Sequence, residues 1–335
     1  MSGSLAHAIK LVREGRRFLL TCHILPDADA VGSMLGLADV LSSLGKEVYL
    51  YNRDPVPEQL KFLPGSEEIH STLPADMSFD ATFVTDTAAR SLLPRQFPAR
   101  NVTGPVVIVD HHLAHDDFGD VVLRDVKACA TAVVVMDFAN ALGVPLPRSA
   151  SAPLYTALVA DTGGFRYPGT TASTLRVAAD LLDNGVDPWQ VASHVFEGWP
   201  MARMRLLGLA INAIETEYDG RVAVVSVPLT MLDQAGATDD MAEGLVEYGR
   251  MLKGVEIAIM LWERRPRADE TAVGTTLTRL SLRSAGSADV SKVALALGGG
   301  GHRASAGATV TYEIATARRM AVLEAGRELG AIARE

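Results

Sequence analysis

The sequence predicts an α/β protein: an N-terminal, doubly wound, mainly parallel sheet, followed by a smaller C-terminal α/β domain with a mixed sheet. Three observations carry this expectation. The chain has 335 residues, about twice the usual single-domain length. Its first half alternates short apolar runs with stretches of helical periodicity, the pattern of parallel strands joined by crossover helices. In its second half two strand-like runs, 255–262 and 271–282, follow each other directly, which implies a hairpin and hence a mixed sheet.

The elements follow in order. Residues 18–22 read as the first strand. Residues 31–44 read as a helix, with apolar side chains at 31, 34, 35, 37, 38 and 41 on one face and Gly45 as its stop. Further strands are expected at 47–51, 81–85 and 106–109, and helices at 128–142, 149–160 and 171–184, the last closed by Asn184-Gly185. From 188 to about 217 the pattern is helical and amphipathic without a strand signal. It reads as a helical linker (188–217) between a first domain (1–187) and a second (218–335). The second domain then shows a strand at 221–227, a helix at 241–252, the strands at 255–262 and 271–282, and a helix at 290–297. A glycine-rich loop, a strand at 308–312 and a helix from 315 complete it.

Composition narrows the function. With 48% apolar and 21% charged residues the chain is an ordinary globular one. A net charge of −9 argues against a broad grip on long nucleic acid. It leaves room for a small phosphorylated substrate held by metal ions, helix N-termini or a few arginines. The longest apolar runs, such as 106–109 and 132–136, are too short to cross a bilayer, and Lys10, Arg13, Arg16 and Arg17 interrupt the start of the chain. Cys22 and Cys129 match neither a disulfide framework nor a zinc spacing. A cytoplasmic location with no membrane partner is the expectation.

The chemistry concentrates where a strand ends and a helix begins, at Thr21-Cys22-His23-Ile24-Leu25-Pro26-Asp27-Ala28-Asp29-Ala30-Val31-Gly32-Ser33. Open α/β sheets place their ligands at such strand ends. One His and two Asp on a loop stiffened by Pro26 put three metal-capable side chains together. Asp27 and Asp29, two apart, can each face a different ion; the plainer alternative is that Asp29 only caps the helix. Asp86 stands at the end of the strand 81–85, Asp110-His111-His112 at the end of 106–109, and Asp161 at the end of the helix 149–160. Neighbouring histidines on a strand end point to opposite sides, so at most one is expected to hold a given ion. Carboxylates and imidazoles converging without a thiolate suit Mn²⁺, and less selectively Mg²⁺, Co²⁺ or Zn²⁺. Two ions bridged by one carboxylate are the usual device for attack of hydroxide on phosphorus.

These motifs, in this order, resemble the DHH/DHHA1 phosphoesterase family, and within it the branch of bifunctional oligoribonucleases (nanoRNases) and pAp phosphatases. The matches are HxxPDxDAxGS at 23–33, Thr85-Asp86-Thr87, Asp110-His111-His112, Ala160-Asp161-Thr162-Gly163, Leu282-Arg283-Ser284, and Gly298-Gly299-Gly300-Gly301-His302 followed by 304–307. The resemblance implies that His23, Asp27 and Asp86 hold one divalent ion. Asp29, Asp86, His111 and Asp161 would hold a second, with Asp86 bridging. It also implies His112 facing the substrate phosphate and Asp110 orienting the histidine pair.

In the second half, consecutive glycines let backbone N–H groups approach an anion, and His302 and Arg303 open the next turn. Arg279 and Arg283 share one face of a strand whose Leu280 and Leu282 face the core, and Arg283 beside Ser284 is the better phosphate ligand. Arg283, Ser284, Gly299, Gly300, Gly301, His302 and Arg303 are therefore the candidate substrate-binding residues. The implied reaction is Mn-dependent hydrolysis of short oligoribonucleotides to nucleoside 5′-monophosphates, with removal of the 3′-phosphate of pAp to give AMP. The enzymatic alternative is a c-di-AMP or pApA phosphodiesterase. The alternative of another class is a catalytically silent nucleotide-binding sensor, which would not need a complete ligand set for two ions. A homodimer is compatible with the resemblance.

Overall fold

Five short apolar runs build the first sheet. The computed structural model describes residues 2–74, 77–87, 89–94, 97–112, 118–265, 277–301 and 303–332, and the chain divides into two units, 1–198 and 199–335. The first unit runs α1 (Ser2–Glu14), β1 (Arg17–Cys22), α2 (Ala28–Ser43), β2 (Glu47–Leu50), β3 (Ala81–Thr85), α3 (Arg100–Thr103), β4 (Val106–Asp110), β5 (Val121–Arg124), α4 (Thr131–Leu142), α5 (Arg148–Asp161), α6 (Ala172–Asp183) and α7 (Pro188–Phe196). Its strands pair in parallel in the order β2-β1-β3-β4-β5. Strands β3 and β4 are buried along their whole length, as a parallel sheet covered on both faces requires. One face packs Phe18, Leu20, Phe83, Val107 and Val109 against α2, α4 and α5. The other buries Leu19, Val84 and Ile108 beneath Phe79, Leu93 and their neighbours.

This topology positions the site. The strand order reverses at β1, so a crevice opens at the C-terminal ends of β1 and β3. The register sets Cys22 opposite Thr85, and Thr85 opposite Val109. The residues that follow, His23, Asp86 and Asp110, therefore leave the sheet at one level. Helices α2 and α5 approach closely: a Cβ on Gly32 would meet the Pro153 carbonyl oxygen, and one on Gly36 the Leu154 side chain. That contact brings the end of α5, and with it Asp161, to the start of α2.

The second unit contains α8 (Met201–Asn212), β6 (Ile214–Glu217), β7 (Val222–Val227), α9 (Leu229–Ala235), α10 (Val246–Arg250), β8 (Ile257–Arg264), β9 (Leu277–Ser284), α11 (Val290–Ala296), β10 (Gly300–Gly301), β11 (Ser305–Val310) and α12 (Ile314–Glu328). Its six-stranded sheet has the order β10-β11-β9-β8-β7-β6, antiparallel except for β7–β8. Helices α11 and α12 cover one face, over Val222, Ile259 and Leu282. Helices α8 to α10 cover the other, over Val225, Met260 and Trp262.

The expected hairpin is present as β8 and β9, paired from Ile257 opposite Ser284 to Arg264 opposite Leu277. The expected strand residues 271–276 lie outside the described residues. Three local readings differ. Residues 214–217 form a strand, not helix. The helix expected at 241–252 is broken into a 3₁₀ turn, Asp239–Ala242, and α10, because Gly244 sits between them with φ 84°. Gly300 and Gly301 form an edge strand where a loop was expected. Among the described residues, no helix is long and apolar enough to cross a membrane.

Candidate metal centre

Each metal-capable side chain is held by the end of a regular element. Asp27 caps α2, its Oδ1 accepting from the Ala30 N–H at 3.0 Å, so Asp29 falls in the first turn and is 1% exposed. Asp86 is the first residue beyond β3 and adopts φ 54°, a left-handed backbone that non-glycine residues rarely take and that clusters at functional sites. Asp110 ends β4, fully buried, and Asp161 ends α5.

Three overlapping groups result: His23, Asp27 and Asp86; Asp86, His111 and His112; and Asp29, His111 and Asp161. Within each group the ligand atoms lie within 4.8 Å of one another. The two oxygens of Asp86 serve different sides. Its Oδ2 is 3.6 Å from His23 Nε2, which is itself 3.8 Å from Asp27 Oδ1. Its Oδ1 is 3.7 Å from His111 Nε2 and 3.3 Å from His112 Nδ1. His111 Nε2 in turn lies 3.6 Å from Asp29 Oδ2 and 3.3 Å from Asp161 Oδ2.

Surrounding groups fix these orientations. His23 Nδ1 lies 2.9 Å from the Ile24 carbonyl and His111 Nδ1 3.1 Å from that of Ala128. Donation from Nδ1–H to these carbonyls turns each Nε2 toward the cluster, the usual arrangement of a ligating histidine. Asp29 accepts from the Ser33 hydroxyl (2.8 Å) and from the amides of Thr131 (2.7 Å) and Ala132 (3.3 Å) at the start of α4. The Thr131 hydroxyl donates to Asp86 Oδ1 at 2.8 Å. Asp110 Oδ1 accepts from His112 at both its amide (3.1 Å) and Nδ1 (2.8 Å), while Arg124 Nε donates to Oδ2 at 3.3 Å. Asn52 Nδ2 donates to the His23 carbonyl at 3.0 Å, and Asp54 Oδ2 accepts from the Leu25 amide at 2.8 Å, which steadies the loop from His23 to Asp27.

The electrostatics are those of a cluster that needs cations. Burial, together with the Asp86 and Asp161 carboxylates, pushes the Asp29 carboxyl well above its ordinary range. Burial acts the same way on Asp86, but the His112, His23 and His111 rings outweigh it and hold this carboxyl well below that range. Burial works against the charged form of His112, yet Asp86 and Asp110 raise this ring to about 11. His23, also opposed by burial, is raised well above its ordinary value by Asp27 and Asp86. Oxygens and imidazole nitrogens with no thiolate, two of the carboxylates almost wholly buried, fit divalent cations that accept mixed O/N ligands.

Every residue expected at this site, His23, Asp27, Asp29, Asp86, Asp110, His111, His112 and Asp161, is brought together. The expectation that His111 and His112 point to opposite sides is corrected. Strand β4 ends at Asp110, so the alternation of a strand no longer applies, and the two rings meet edge to face at 4.6 Å, both beside Asp86 Oδ1. The helix cap is Asp27, not Asp29. The supporting Ser33, Asn52, Asp54, Arg124 and Thr131 were not anticipated. Ser33 alone carried a signal, as the last residue of the first motif.

In the second unit the candidate residues have partners of their own. Arg283 Nε pairs with Glu247 Oε1 at 2.7 Å, and its Nη1 donates to Ser281 Oγ (3.3 Å) and the Leu282 carbonyl (3.1 Å). The Ser284 hydroxyl donates to the Arg303 carbonyl at 3.1 Å, and Arg303 Nη2 donates to the Ser287 carbonyl at 2.5 Å. Arg279 lies over the Trp262 ring and pairs with Glu243 at 3.2 Å. The amides of Gly298 and Gly299 donate to the Leu295 and Ala294 carbonyls, and Gly300 and Gly301 pair with Gly307 and Ala306. His302 lies outside the described residues.

The DHH family, N-terminal domain, matches residues 17–158, the segment that carries every residue of the cluster except Asp161. Over 325 residues the chain is 35% identical to the bifunctional oligoribonuclease and PAP phosphatase NrnA of Thermus thermophilus, covering 96% of this chain and 92% of that protein. The chain belongs to the DHH family and, within it, to the group of the NrnA proteins. Its fold is also that of an exopolyphosphatase-related protein from Bacteroides fragilis (TM-score 0.85, 23% identity, 98% of this chain and 96% of that one). RecJ from Thermus thermophilus, solved in complex with Mn²⁺, shares the fold more distantly, with a TM-score of 0.54 and 16% identity over 97% of this chain and 55% of that one.

Proposed function

We propose that this chain is a cytoplasmic, two-metal phosphoesterase that hydrolyses short oligoribonucleotides to nucleoside 5′-monophosphates and removes the 3′-phosphate of pAp to give AMP. The observation that carries the reading is Asp86, whose two oxygens face two different sets of ligands. His23, Asp27 and Asp86 would hold one ion, and Asp29, Asp86, His111 and Asp161 the other. When bound, the ions supply Lewis-acid activation of water and of the phosphate, with Mn²⁺ favoured by the mixed histidine and carboxylate donors. His112 donates Nδ1–H to Asp110, which Arg124 holds from its other oxygen. Against the cost of burial, Asp86 and Asp110 raise this ring to about 11 and so keep it an imidazolium, whose second proton, at Nε2, is available to a phosphate oxygen. Arg283, Ser284, Gly300, Gly301, His302 and Arg303 are assigned to a nucleotide phosphate in the second unit, and Gly299, whose amide closes α11, to the turn that leads into them. The substrate pair is supported by the name of the Thermus relative, matched over nearly its full length.

The test compares rates on pAp, a pentaribonucleotide, pApA, c-di-AMP and pyrophosphate, after chelation and again after adding Mn²⁺. Mn²⁺-restored hydrolysis of pAp and the pentanucleotide is expected. Preference for c-di-AMP or pyrophosphate, or activity indifferent to chelation, would overturn the proposal.

A further inference from the structure

Helix α4 begins against both halves of the cluster, and its first residue touches each. Thr131 is fully buried. Its hydroxyl donates to Asp86 Oδ1 at 2.8 Å, across 45 residues of sequence, and its backbone N–H donates to Asp29 Oδ2 at 2.7 Å, across 102. The two bonds act differently. The amide bond belongs to the start of the helix and survives any side chain, whereas the hydroxyl bond depends on Thr or Ser.

An aspartate carboxylate turns easily about its last torsion, which is broad and two-fold. A hydroxyl fastened to Oδ1 removes that freedom and leaves Oδ2 directed at His23, 3.6 Å away. Threonine suits this task because its branched Cβ restricts χ1, so the donor is itself rigid. We propose that Thr131 is a positioning residue that fixes the plane of the Asp86 carboxylate, so that each oxygen addresses one of the two ion sites. The inference rests on the two-ion reading above.

The experiment measures Mn²⁺ uptake by the metal-free protein, counting bound ions by electron paramagnetic resonance of the free ion and following affinity with a competing chelator dye. Thr131→Val keeps the shape and the amide bond to Asp29 but deletes the hydroxyl; Thr131→Ser restores it. Groups that orient a metal ligand typically contribute 10- to 100-fold in affinity, so the Val variant should bind Mn²⁺ about 10- to 100-fold more weakly. The Ser variant should return to within about threefold of the wild type, with both metal-free variants retaining the wild-type far-ultraviolet dichroism. Wild-type affinity in the Val variant overturns the proposal while leaving the two-ion reading intact. A folded Ser variant that binds as weakly as the Val variant, or that alone proves foldable and binds weakly, also overturns it. Wild-type protein that takes up no Mn²⁺ overturns both.

Discussion

Replacing Asp86 with Asn keeps the side chain's shape, removes its charge and turns one of its two oxygens into an NH2. The carboxylate is 2% exposed, with imidazole nitrogens at 3.3 to 3.7 Å and the Thr131 hydroxyl at 2.8 Å. Removing one partner of a buried charge pair costs about 3–5 kcal/mol, or roughly 10²–10⁴ in turnover if the loss falls on the reacting state. One of the two oxygens becomes an NH2 that cannot ligate and the other loses its charge, so the variant should hold fewer than two Mn²⁺ per chain at concentrations that saturate the wild type. In the metal-free protein the sign follows from the lowered carboxyl. The stability contributed by charged Asp86 is present above the ordinary carboxylate range and is lost as pH falls toward its lowered value. The Asn variant lacks that contribution at every pH. Phosphate release from pAp and Mn²⁺ content, measured on one preparation, decide the matter. Turnover within about threefold of the wild type would refute the shared-ligand argument, because one carboxylate could not then be serving two ions.

Metal uptake should release protons: without ions His23 and Asp29 are raised well above their ordinary values, yet both must be deprotonated to ligate. Affinity for Mn²⁺ should therefore rise with pH between 6 and 8, on the order of the one or more protons displaced, and calorimetry in two buffers of different ionisation heat measures the release. No release at pH 7 would contradict the raised values. Gly299→Ala should destabilise the second unit by about 1–3 kcal/mol, since a Cβ there meets the Gly307 carbonyl oxygen and Ala308; denaturant melting followed within that unit reads it. Arg283→Ala should lower kcat/KM on pAp about 10- to 100-fold, the worth of one charge-assisted hydrogen bond, with ion content unchanged. Among the described residues its Nη2 makes no hydrogen bond, while Nε and Nη1 are engaged, so Nη2 is the nitrogen assigned to phosphate.

Much of the first unit was legible because parallel strands buried on both faces are continuous apolar runs. The strand 81–85 was placed to the residue, and the metal-capable side chains stood just past such runs. What failed there were rules applied beyond their range. Alternation of side chains holds only inside a strand, so it misplaced His111 and His112 once β4 had ended at Asp110. Helix α1 does carry a helical pattern, with Leu5, Ala8, Ile9 and Val12 at i, i+3, i+4 and i+7 packed on the core, but the basic residues among them drew the reading toward a test for a leader segment. Strand β5 has four residues, too few to establish a period. Thr131 carries no local mark of its role, which exists only because α4 starts beside residues 45 and 102 positions away.

The glycine run of the second unit shows why composition alone was ambiguous there. Glycine frees backbone amides for an anion, and it also lets two backbones touch; the sequence signature of the two is the same. Here the second cause accounts for much of the run. A Cβ at Gly299 would strike the Gly307 carbonyl oxygen, and one at Gly301 the Ala306 backbone. The Gly298 and Gly299 amides already close the end of α11. An anion bound at this edge would therefore have to draw on amides beyond Gly299, or on side chains such as Arg283. Glu247 bears on that choice, because it takes Arg283 Nε at 2.7 Å and Arg250 Nε at 2.7 Å with its two oxygens. A guanidinium anchored through Nε and Nη1 is held in plane, so Nη2 is a donor of fixed direction, better placed for a phosphate oxygen than a mobile ammonium. The physical case for phosphate binding in the second unit thus rests more firmly on Arg283 than on the glycines beside it.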